Sequence, residues 1–81
     1  MKQAPQYYVK VLAQTISPWS GIYSTFCDGF GFNRRRDAEA ETRQYNKRAD
    51  GKHIIGAWTA QCKDNNTVPQ SIQDKCPGTI I

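Results

Sequence analysis

The side chains best suited to nucleophilic or metal chemistry are three cysteines, Cys27, Cys62 and Cys76, and a single histidine, His53. They amount to the donor set of a Cys3His zinc site, but no two cysteines have the C-x2-C spacing and the four are spread along the chain over more than one element. Cys27 or Cys62 would pair with His53 as thiol and base only if the fold brought them together. Asp37, Glu39 and Glu41 lie on one stretch that reads as a helix surface, which is not the arrangement of a paired acid and base. The sequence therefore predicts no metal, no cofactor and no enzymatic activity, and binding is the chemistry that remains. A Cys62–Cys76 bridge would tie down the end of the chain, yet free thiols fit a reducing compartment better.

The binding chemistry concentrates at Arg34, Arg35 and Arg36. Asn33 is a favoured N-cap, residues 34–48 contain no Gly or Pro and are rich in good helix formers, and Gly51 supplies a stop. The pattern predicts one helix from Arg34 to Arg48. Its inward stripe, Ala38, Thr42, Tyr45 and Ala49, is thin, so most of the circumference faces water or a partner. Three cations in the first turn sit where the dipole favours negative charge, which an anionic partner would relieve. The competing expectation is self-pairing, Arg34 with Asp37 and Arg35 with Glu39. Arg34, Arg35, Arg36, Arg43, Lys47 and Lys52 are the candidate contacts to nucleic acid or an acidic partner, with Trp19 or Tyr8 as aromatic contacts.

With 81 residues and a net charge of +4, the chain is one small domain with a moderate basic excess. Three of those four charges reside between Arg34 and Lys52. Hydrophobic content of 38% and aromatic content of 11% supply one core. No apolar run approaches a membrane span, and MKQAPQYYVK lacks the hydrophobic centre of a signal peptide. The expectation is a cytoplasmic protein without a membrane partner. Its oligomeric state stays open, because an edge strand could self-associate.

The elements that must carry the helix read as sheet. Tyr7 to Thr15 alternates Tyr7, Val9, Val11 and Ala13 with Tyr8, Lys10 and Leu12; the first set is expected to face the core, leaving Tyr8 and Leu12 partly exposed. Ile16 to Gly21 is a loop in which Trp19 either lids the core or anchors a partner. Ile22 to Cys27 is a second strand, and Asp28-Gly29 predicts a hairpin into a short third strand, Phe30 to Phe32. Phe30 and Phe32 share a face at period two, either as core or as stacking aromatics beside the arginines. Lys52 to Cys62 is the last strand, with Ile54 and Trp58 on one face and Ile55 and Ala57 on the other. The expected fold is α+β: a small antiparallel sheet in the order strand, strand, short strand, helix, strand, with the helix packed on one face. Residues 1–63 form that domain, and 64–81 an irregular C-terminal tail docked on it, with one helical turn near Ser71 to Lys75.

From Trp19 to Lys47, about a third of the chain, the sequence resembles the arm-type DNA-binding domain at the front of phage and transposon integrases. There a small three-stranded sheet leads through a glycine-aromatic step, a cap and basic residues into an alanine-glutamate-rich helix; GFNRRRDAEAE stands in those places. The resemblance implies a sheet laid in the DNA major groove, with Lys10, Tyr8 and residues 22–26 as readers. In type alone, the chain is also similar to small phage accessory proteins such as anti-CRISPR inhibitors. Two functions follow as expectations: a nucleic-acid-binding module, or an inhibitor or adaptor that occludes a host nucleic-acid-handling protein complex.

Overall fold

The computed structural model describes residues 5–14, 20–61 and 67–81. The elements run β1 (Tyr7–Gln14), β2 (Ile22–Phe32), α1 (Arg35–Arg48), β3 (Ile54–Ala60), α2 (Gln70–Gln73) and β4 (Thr79–Ile80). The fold is α+β, one mixed four-stranded sheet in the order β3-β1-β2-β4. β1 is central and antiparallel to both neighbours, while β4 joins β2 in parallel at Ile22 and Tyr23.

Central β1 is buried on both sides. Val9, Val11 and Ala13 pack with Ala38 of α1 and Ala57 of β3, ringed by Tyr7, Phe32, Tyr45 and Ile54. Small residues at the contact let the helix lie close on the sheet. Thr42 continues that seam: its hydroxyl donates to the Ala38 carbonyl at 2.8 Å and shares a second hydrogen bond with the Thr59 hydroxyl at 2.9 Å. The opposite face carries a second core of Leu12, Tyr23, Ile55, Val68 and Ile72, with Trp58, Cys76 and Ile80 around it. Leu12, expected to be partly exposed, is fully buried. The stretch expected to be irregular tail carries α2 and β4 and covers that face.

Asp28-Gly29 does not turn the chain. β2 continues through it, and the register changes from Val9 opposite Asp28 to Tyr7 opposite Phe32. One residue of β1, Tyr8, thus faces three of β2, Gly29, Phe30 and Gly31, which is a bulge. Gly29 and Gly31 have φ of +67° and +93°, the freedom a hairpin would also have used. At Gly31 a Cβ would come within 2.8 Å of the Tyr8 ring, so the bulge also makes room for that tyrosine. Phe30 and Phe32 consequently part company: Phe32 joins the core, whereas Phe30 is 95% exposed.

The helix begins one residue later than the N-cap expectation. Arg34, extended at φ −119°, takes the cap position and makes no side-chain cap bond. α1 ends at Ala49, also extended, and Gly51 at φ +76° lies in the following turn. Asp50 organises that turn, its Oδ1 accepting the N–H groups of Lys52, His53 and Ile54 at 2.8, 2.7 and 3.1 Å. The Tyr23 hydroxyl donates to the Lys52 carbonyl at 2.9 Å, fastening the same connection to β2. A second register shift opposite Leu12 and Ala13 places Ile54 in one core and Ile55 in the other. Trp58 therefore packs with Ile55, not on the face of Ile54 as strict alternation predicts.

Candidate nucleic-acid interface

The cationic residues of α1 are placed by the seam on its inner side. With Ala38 and Tyr45 directed at the sheet, 3.6 residues per turn carries Arg36, Arg43 and Lys47 to the opposite side, within about 40° of one another. All three are exposed. Their row spans about 16 Å at 1.5 Å per residue, and Ala40, also exposed, is the residue between Arg36 and Arg43 on that line. No carboxylate interrupts it.

The acidic residues lie on the flanks. Arg35 pairs with Glu39 at 2.9 Å, as the i,i+4 spacing predicts; Arg35 is exposed and Glu39 half-buried. Such a pair contributes little to stability. Arg34 with Asp37 is not formed: among the described residues, Arg34, Arg36, Arg43 and Lys47 have no carboxylate within ion-pair distance. On the β2 side, Arg48 sits 5.3 Å from the centroid of the Tyr45 ring. Burial first, and then a hydrogen bond to the Asp28 carboxylate, pushes the Tyr45 phenol up to about 12. Tyr45, Asp28 and Arg48 thus brace the helix; they are not free contacts.

The sheet-side candidates are not available in the same way. Lys10, expected as a contact, is 3% exposed. It shares the Leu12 face and stands opposite Cys27 and Trp58 in the neighbouring strands. The segments that bury Leu12 close over that face of β1, and nothing in the alternation of β1 foretold it. Tyr8 is half-buried; its hydroxyl donates to the Pro5 carbonyl at 3.0 Å. Trp19 lies outside the described residues. Lys52 is exposed but belongs to the turn after α1, apart from the row.

Metal and thiol chemistry find no assembled site. Among the described residues no three His, Cys, Asp or Glu side chains converge. Cys27 and Cys76 are free thiols, and Cys62 lies outside the described residues. His53 Nδ1 meets Asp50 Oδ2 at 2.8 Å. That contact and the three backbone donors hold the Asp50 carboxyl well below the usual carboxylate range. An open groove of about 760 Å³ runs between the end of α1, β3 and α2, lined in part by Asn46, Trp58, Ile72 and Lys75. No helix of the described residues is long and apolar enough to cross a membrane.

Fold and surface together define a small α+β protein whose sheet is covered on both faces and whose single long helix turns a basic side outward. Comparison with protein-family models, curated proteins and solved structures finds no match for the chain.

Proposed function

We propose that this protein is a small non-enzymatic binding module that engages the phosphate backbone of a nucleic acid through the outer face of α1. The row of Arg36, Arg43 and Lys47 carries the reading. Its cations are exposed, have no ion pair among the described residues and lie on one line, which suits a partner whose negative charge repeats along a line. Titration of a labelled oligonucleotide over a range of salt concentrations tests it. The logarithm of affinity should fall linearly with the logarithm of salt, and Arg36→Ala or Arg43→Ala should each reduce the slope by about 0.7–0.9. Absence of binding at low salt, or an affinity indifferent to salt, would end the reading.

Phe30 favours a second reading, an inhibitor or adaptor of anti-CRISPR type that occludes a nucleic-acid-processing complex. An aromatic residue 95% exposed is of the kind that anchors protein interfaces. This reading predicts a stoichiometric complex with a protein that persists after nuclease treatment and in high salt.

A further inference from the structure

Phe30 is the most exposed large hydrophobic residue of the described chain. Two glycines at positive φ, 29 and 31, let β2 bulge at this point, so the ring stands outside the ladder while Asp28 and Phe32 on either side remain paired to β1. The bulge is fixed from beneath, because the Tyr8 ring packs at Gly31 and its hydroxyl is bound to Pro5. Along the chain Phe30 is flanked by Asp28 and Gly29 on one side and by Gly31, Phe32 and Asn33 on the other, with Arg34 to Arg36 following. Arg34 stands four positions after Phe30, at most about 14 Å away even for extended chain.

We infer that Phe30 is a stacking platform for an unpaired base, and that the ligand of the α1 surface is single-stranded nucleic acid. The inference rests on the nucleic-acid reading above and names its substrate class. A protein pocket that accepted Phe30 would need an apolar rim around the anchor to exclude water, and the residues on either side of it here are glycines. A base needs only a π-face, and its adjoining phosphates meet the arginines. Entry of Phe30 as a wedge into a duplex would require unstacking a base step, repaid by wrapping bent DNA over a wide basic surface. This protein offers one row about 16 Å long instead. An unpaired strand presents its bases without that cost.

The test uses the whole protein, a short labelled oligothymidylate and a duplex of the same length, read by fluorescence anisotropy at fixed low salt and then across salt. The wild type is expected to bind the single strand at least tenfold more tightly than the duplex. Phe30→Ala should lose about tenfold on the single strand while keeping the salt slope, since stacking contributes affinity without releasing counterions. Phe30→Trp should restore binding, with its emission quenched on addition of the oligonucleotide. Lys75→Ala, on the α2 side of the molecule, should match the wild type. Circular dichroism confirms folding; a ring so exposed supports no core. Unchanged single-strand affinity in Phe30→Ala, or preference for duplex, would overturn the inference and leave the α1 reading standing. Loss of all salt-dependent binding in the wild type would overturn both.

Discussion

The side-chain amide of Asn46 closes both hydrogen-bonding groups of Ala57: Nδ2 donates to the Ala57 carbonyl at 3.2 Å, and Oδ1 accepts the Ala57 N–H at 2.9 Å. Ala57 is the middle residue of β3, which has β1 on one side and ends the sheet on the other. The amide occupies the position that a peptide unit of another strand would take. β3, IIGAWTA, has neither charge nor proline to discourage pairing, so Asn46 blunts an otherwise adhesive edge.

Asn46→Ala should therefore lower unfolding stability by about 1–3 kcal/mol, the cost of leaving backbone groups unsatisfied. It should also raise self-association. Urea unfolding and sedimentation velocity over a range of concentrations check the two parts. An unchanged midpoint with unchanged sedimentation would show that the clamp contributes nothing.

Tyr45→Phe keeps the ring against the sheet and removes the phenol beside the Asp28 carboxylate. A modest loss, about 1 kcal/mol, is expected at neutral pH. The wild-type phenol is raised to about 12 from an unfolded value near 10, so the folded state favours the protonated form. Its contribution is complete below about pH 10 and disappears as pH rises toward 12. An ultraviolet titration should show one tyrosine with a midpoint near 12 that the variant lacks.

Asp50→Ala removes the acceptor that shapes the α1–β3 connection. The folded carboxyl is depressed, so its stabilisation is present above the unfolded value near 4 and is lost as pH falls below it. Thermal unfolding at neutral pH should place the variant below the wild type. The difference should narrow in acid, and a gap independent of pH would contradict the ionic account.

Ile72→Ala opens the second core where α2 meets Leu12, Tyr23 and Ile55. A cost of about 2–4 kcal/mol is expected from lost burial and the cavity left behind. Denaturant unfolding measures it, and a loss under 1 kcal/mol would mean that α2 is only loosely seated.

The helix and its row of cations were legible because Ala38, Thr42 and Tyr45 fix one inward side without help from distant residues. Asp28-Gly29 was not, since positive φ serves a hairpin and a bulge equally. The deciding fact is that β1 runs on far enough to meet Phe32. Alternation placed Lys10 and Leu12 on one face but could not say that residues 68–80 would close over it. The irregular register opposite Leu12 likewise moved Trp58 away from Ile54, which no strict period of two contains. Asn46 follows Thr42 by four residues, and that spacing is the sequence feature that sets it over β3.

The parallel docking of β4 on Ile22 and Tyr23 has a consequence for biosynthesis. While residues 68–80 are still unmade, Leu12, Tyr23 and Ile55 lack the cover of Val68, Ile72 and Ile80, although the helix side of the sheet already possesses every residue of its core. A nascent chain at that stage would be half-upholstered and attractive to chaperones, and α2 with β4 arrives as the piece that seals it.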